Sequence, residues 1–211
     1  IIVLAILSIG YAFFAEISDN LTLRILLFTL ISFGALGFVD DIRWILIKRK
    51  GIFLGLGEKY MFAVQIVLAT FISLVLYYGV GLNNIYISLF GNLLIGAWYI
   101  PLSIFIIMSF SNAYNISDGL DGLSTGLLTI CLFALLALSV SSLDLTLASF
   151  IGIWLGSLFA FLYFNVYPAR IYLGNAGALA FGATLAVVGL LTGKILALVI
   201  IGGVYMVIAF S

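Results

Sequence analysis

Asn112, Asn115, Asp118 and Asp121 recur at every third position of the segment NAYNISDGLDG (112–122). If the segment is helical, that spacing keeps two carboxylates and two carboxamides on one broad face. Such a face offers hard oxygen ligands and hydrogen-bonding groups to a phosphate- or sugar-bearing molecule. Gly119 and Gly122 allow close backbone approach or a break in the helix, which a loop contacting phosphate requires. Taken alone, the segment reads equally well as caps and turns, where Asn, Asp and Gly are common.

Two further segments carry chemistry of the same kind. In GFVDD (37–41) the adjacent Asp40 and Asp41 suit either of two uses. They can help to bind a divalent cation, or one can act as a base towards a phosphate or hydroxyl nucleophile. A solvated acidic pair beside Arg43 is the plainer alternative. In FNVYPARIYLGNAGALAFG (164–182), Asn165 and Asn175 are the polar residues at issue.

The elements that must position these residues follow from composition. Hydrophobic residues make up 65% of 211 positions, charged residues 8%, and mean hydropathy is +1.38, far from the range of a soluble globular chain. Apolar stretches of bilayer-crossing length fall at 1–15, 22–39, 60–81, 93–111, 122–140, 146–165, 177–192 and 195–211. Spanning strands are disfavoured, because the runs lack period-2 alternation and an open sheet edge cannot sit in lipid. The expected fold is all-α, a polytopic transmembrane helix bundle of about eight spans in a single domain over 1–211. The chain opens on Ile1 and stops inside an apolar run, and so reads as a piece cut at both ends.

With eight crossings, the connections at 40–59, 112–121 and 166–176 share one face, which collects six of the eight basic residues. The positive-inside rule makes that face cytoplasmic, with Arg24 and Lys194 as the exceptions. An ionised carboxylate beside hydrocarbon is costly unless water, a counter-charge or a metal faces it. Three loops therefore present Asp40, Asp41, Asn112, Asn115, Asp118, Asp121, Asn165 and Asn175 to one aqueous boundary. A net charge of zero leaves no case for nucleic-acid binding. The lone Cys131 lies in an apolar run and reads as helix filler.

GFVDD, GLGEK (55–59), SNAYNISDGLDGLSTG (111–126), YFNVYPARIYLGNAGALAFG (163–182) and IIGGVYMVIAFS (200–211), in this order and at these separations, resemble the polyprenyl-phosphate N-acetylhexosamine-1-phosphate transferases. The SNA…N…DGLDGL stretch, the FN-YPA approach and the GGV segment favour the phospho-N-acetylmuramoyl-pentapeptide transferase branch over relatives that transfer N-acetylglucosamine phosphate. The resemblance implies a bacterial inner-membrane enzyme acting at the cytoplasmic face. Undecaprenyl phosphate attacks UDP-N-acetylmuramoyl-pentapeptide, UMP leaves and lipid I of peptidoglycan synthesis forms, with Mg²⁺ as cofactor and a homodimer as a compatible assembly. By motif position, Asp40 would lie nearest the attacking lipid phosphate, as its base, with Asp41 beside it. Asn115, Asp118 and Asp121 would line the nucleotide cleft, Asp118 and Asp121 counting with the acidic pair as catalytic and Asp121 also as a metal ligand. Asn112 would support their loop, Tyr172 would stack on uracil, and Asn165 would contact the nucleotide. Lys59 would face phosphate.

The chain departs from that pattern in four ways. Asn175 stands at the position of a Mg²⁺-ligating aspartate, and Ala178 replaces a serine. Trp44 stands where a basic residue is expected, Ile208 where an acidic one is, and a histidine-rich loop is missing from a chain that has no histidine. An amide oxygen at position 175 brings no negative charge, so Mg²⁺ affinity and turnover are expected to be weak while recognition survives. Readings from other classes are a solute transporter and a non-catalytic membrane scaffold. Against transport, the acids cluster at one face and no inverted repeat is visible.

Overall fold

A computed structural model describes residues 20–50, 58–87 and 91–210. The expected span at 1–15 lies outside the described residues. The remaining apolar stretches become α1 (Leu21–Lys50), α2 (Glu58–Leu74), α3 (Tyr99–Ser117), α4 (Leu123–Ser141), α5 (Leu145–Asn165), α6 (Gly174–Leu191) and α7 (Ile195–Phe210). Among the described residues, six helices are long and apolar enough to cross a membrane, and the apolar Ile195–Ala209 is shorter. The chain is a multi-pass membrane protein with an all-α fold.

Two boundaries differ from expectation. α1 does not stop at Val39 but runs 30 residues through Asp40 and Asp41 to Lys50. At about 1.5 Å per residue it measures roughly 45 Å, against a hydrocarbon core of about 30 Å, so its C-terminal part projects beyond lipid. The acidic pair therefore rides on a helix rather than in a loop, where Asp40 meets Arg43 one turn on. In the second case the chain leaves α2 through a π-helical turn (Val75–Gly79) and forms a hairpin of β1 (Asn84–Ile87) and β2 (Gly91–Leu94). The strands pair antiparallel, Asn84 opposite Leu94. Leu93 and Leu94, read from hydropathy as the start of a span, belong to this hairpin, whose Tyr86 N–H donates to the Gly193 carbonyl at 3.1 Å.

The core is organised around α6, buried at every position from Gly177 to Leu190 and packed between α1 and α3. Small residues make that closeness possible, since helices in lipid associate through close backbone approach. A Cβ on Gly182 would meet the Phe110 carbonyl oxygen of α3 at 2.5 Å, and one on Gly37 of α1 would meet the Asn175 carbonyl oxygen at 2.2 Å. α4 and α5 pack as an antiparallel pair, and α7 lies against α3 and α4. Trp154 of α5, wholly buried, stacks edge-on against Phe181 of α6 at 5.4 Å. At the ends of these helices, 40–43, 118–122 and 166–175 come to the same end of the bundle, and the hairpin, 141–145 and 192–194 to the other.

Candidate functional site

At the N-terminus of α6 the first backbone N–H groups have no partner within the helix and must find acceptors elsewhere. Asp41 supplies them from α1: Asn175 N–H donates to its Oδ1 at 3.2 Å and Ala176 N–H to its Oδ2 at 3.0 Å. A carboxylate is well placed there, against the positive end of the helix dipole. Gly174 makes this approach possible. Its φ is +68°, a left-handed value that side chains resist, and a Cβ would sit 2.9 Å from Asp41 Oδ2.

Asp40, one residue earlier, faces a different pair of donors. Asn175 Nδ2 donates to its Oδ2 at 2.9 Å, and Arg43 Nη1 lies 3.6 Å from its Oδ1. Arg43 Nε and Nη1 are buried without a hydrogen bond among the described residues, which leaves donors suited to an anion. Sequence reasoning passed over Arg43 as a neighbour of the acidic pair, although its position one turn after Asp40 was the available signal.

In NAYNISDGLDG only the first half is helical. Asn112 and Asn115 belong to α3, Asp118 caps its end, and Asp121 sits in the turn that precedes α4. Asn112 Nδ2 donates to Gln65 Oε1 of α2 at 2.9 Å and to the Met108 carbonyl at 2.8 Å, so this amide ties α3 to α2. Asn115 is half-buried, with no side-chain partner among the described residues. Asp118 Oδ1 accepts a close hydrogen bond from the Ser124 hydroxyl. Burial pushes the Asp118 carboxyl above its ordinary range, and the Ser124 hydrogen bond opposes that rise. Asp121 Oδ2 accepts from the Ala169 N–H at 3.0 Å, joining this turn to the segment 166–173.

That last segment is fixed from beneath by Asn165, which is 3% exposed. Its Oδ1 accepts from the Thr125 hydroxyl at 3.0 Å, and its Nδ2 donates to the Ile171 carbonyl at 3.0 Å. The Asn165 amide is thus committed at both ends within the protein. Tyr205 of α7 donates its hydroxyl to the Ser124 carbonyl at 2.8 Å, closing the layer from the other side. Ser124, Thr125 and Tyr205 were not singled out from sequence, because each looks like ordinary helix filler. Tyr172 stands outward, 69% exposed, and Lys59 is exposed at the start of α2.

The structure therefore links seven of the expected residues directly (Asp40, Asp41, Asn112, Asp118, Asp121, Asn165, Asn175) to neighbouring elements. Asp118 Oδ2 and Asp121 Oδ1 remain without a hydrogen bond among the described residues. Mg²⁺, which transferases of the resembled type generally use, does not fit this donor set as arranged. No three Asp, Glu, His or Cys side chains among the described residues converge to hold a metal. All four oxygens of Asp40 and Asp41 already have partners, and Asn175 turns its NH₂ group, not its oxygen, towards Asp40. The buried stretch of α6, Gly177 to Leu190, carries no ionisable residue.

The chain is similar to proteins named phospho-N-acetylmuramoyl-pentapeptide-transferase. That of Borrelia hermsii (strain HS1 / DAH) is 36% identical over 211 residues, covering 91% of this chain and 59% of its own length. That of Chloroherpeton thalassium (strain ATCC 35110 / GB-78) is 32% identical, covering all of this chain and 61% of its own. That of Bacillus subtilis (strain 168) is 36% identical, covering 94% and 60%. The chain thus spans about three fifths of the length of these curated relatives. Residues 23–193 match the family model described as Glycosyl transferase family 4, a stretch that contains the site residues above except Tyr205, and the chain belongs to that family.

Proposed function

We propose that this chain forms the substrate-recognising membrane core of a phosphoglycosyl transferase of the phospho-N-acetylmuramoyl-pentapeptide type. Its site faces the cytoplasm from the bacterial inner membrane. The observation that carries the reading is the linkage of the acidic turn 118–122, the segment 166–173 and the start of α6 through Asp121 and Asp41, inside a family match that spans these elements. A nucleotide-sugar needs a polar cleft at the aqueous boundary, and a lipid phosphate needs access from the bilayer. The end of a helix bundle provides both.

The reaction is a transfer between phosphates. An oxygen of undecaprenyl phosphate forms a bond to the β-phosphorus of UDP-N-acetylmuramoyl-pentapeptide, the bond from that phosphorus to the bridging oxygen breaks, and UMP leaves with the electron pair. Positioning and charge supply most of the catalysis in such transfers. Asp40 stands nearest the attacking phosphate, and Arg43 and Lys59 offer cationic donors to phosphate oxygens. The free oxygens of Asp118 and Asp121 and the Asn115 carboxamide line the nucleotide-sugar side, where Tyr172 presents a ring for base stacking. Asn112 and Asn165 hold these loops in place from behind.

Turnover by this chain is weak or absent, because the acidic pair is satisfied within the protein. Calorimetric titration of UMP and UDP-N-acetylmuramoyl-pentapeptide into the detergent-purified chain tests the reading. Saturable binding, weakened about tenfold by Tyr172→Ala through loss of one stacked ring, is expected, and absence of binding by both ligands would overturn it. A UMP-exchange assay on the same material should give little or no signal.

A further inference from the structure

We propose that the Asn175 carboxamide takes the place of a divalent cation, joining the Asp40–Asp41 pair to the start of α6 so that this end of the bundle assembles without metal. Two adjacent carboxylates facing a third polar side chain across a helix crossing make an arrangement that is ordinarily balanced by bound cations or by donors. Here donors do all of it. Asp41 takes two backbone N–H groups of α6, and Asp40 takes the Asn175 Nδ2 at 2.9 Å on one oxygen and the Arg43 guanidinium at 3.6 Å on the other. The amide is the one donor of this set that a single-atom change would turn into an acceptor.

An aspartate at 175 would set a carboxylate oxygen at hydrogen-bond distance from Asp40 Oδ2, where two like charges repel unless a proton or a cation lies between them. The backbones meet closely at this crossing, where a single Cβ on Gly37 would collide with the Asn175 carbonyl, so residues 40 and 175 face each other at short range. A cation between residues 40 and 175 would then balance the charge with both carboxylates ionised. The residue at 175 thus decides whether the crossing is self-sufficient or metal-dependent. This follows from the geometry alone and does not rest on the proposed transfer reaction.

The test measures thermal unfolding of the detergent-purified chain in EDTA and in millimolar MgCl₂, with Mn²⁺ binding followed by electron paramagnetic resonance. For the unaltered chain we expect the same melting temperature in both conditions and no specific Mn²⁺ signal. N175D should melt several degrees lower in EDTA, recover in MgCl₂, and bind Mn²⁺ at least about tenfold more tightly than the unaltered chain. N175A removes the donor without adding charge and should melt lower in both conditions alike. If N175D does not fold, the exchanged pair D40N/N175D keeps one amide and one carboxylate at the crossing and should fold in EDTA. The proposal fails if MgCl₂ stabilises the unaltered chain as much as N175D, if N175D is indifferent to the ion, or if D40N/N175D still needs it. UMP titration of the same samples reports separately on the transferase reading.

Discussion

The two ends of the bundle are tied together by different means. At the end that holds the hairpin, the links are backbone to backbone, short in sequence, or between neutral side chains, as where Asn20 Nδ2 donates to Thr146 Oγ1 at 2.9 Å. Tyr86 N–H donates to Gly193, Ile95 and Gly96 N–H groups share the Asn83 carbonyl, and Asp144 caps its own helix α5 through the Leu147 N–H at 2.9 Å. At the acidic end, side chains reach backbone far away. Asp41 binds N–H groups 134 and 135 residues on, and Asp121 binds one 48 residues on. A backbone tie holds a turn in shape, whereas a carboxylate tie also holds a charge at a fixed place and leaves it other lone pairs to offer. The acidic end is built as a surface of fixed polar groups, as recognition requires.

Crowding at the α1–α6 crossing gives the largest expected effect on that contrast. Gly37→Ala drives a Cβ into the Asn175 carbonyl and should cost about 3 kcal/mol, read as a fall in melting temperature in detergent. The same change at Gly152, where nothing lies within 4 Å, should be near neutral. Next come the two carboxylate caps. Asp41→Ala leaves two N–H groups of α6 without acceptors and should cost about 2 kcal/mol, whereas Asp144→Ala loses one local cap worth about 1 kcal/mol. Equal losses would break the comparison between the ends.

Asp121→Ala removes the tie to 166–173 and should speed amide exchange at Ala169 about tenfold while leaving Tyr86, at the other end, unchanged. The smallest effect concerns pH. Burial raises the Asp118 carboxyl in the folded chain, so the folded state binds the proton more tightly than the unfolded one. Stability from this group is therefore full below the ordinary carboxylate range and lost as pH rises through the raised value. Asp118→Asn should flatten that slope in pH-dependent unfolding.

Much of this was legible in the amino-acid sequence, and what was not has physical reasons. Hydropathy marks α2 to α7 because each is apolar along its length, on its outer face as well as its packed one, and the gathering of 40–41, 118–121 and 165–175 at one end follows from counting crossings. The continuation of α1 through Asp40 and Asp41 was hidden, since charged residues were read as the end of a helix when they only marked its exit from lipid. The hairpin was hidden because 84–92 fell in an uncharged connection with no strand signal and Leu93 and Leu94 were counted into the span at 93–111. The ties made by Asp41, Asp121 and Asn165 connect residues whose meeting depends on the whole packing, and no local pattern announces them. The family resemblance marked position 175 as unusual, but only the crossing shows what its amide holds.

The burial of α6 has a consequence for how the bundle is made. This helix lies at the centre of the bundle yet comes late in the chain, and its partner α1 comes early. During synthesis α1 and α3 enter the membrane well before the segment that fills the space between them exists. Closure must therefore await residues 174–191, a long-range pairing of the kind that slows folding. Until then Asp40 and Asp41 lack the donors that later hold them. A chain arrested before residue 174 would lack the three α6 donors, and its acidic pair would be left to water and Arg43.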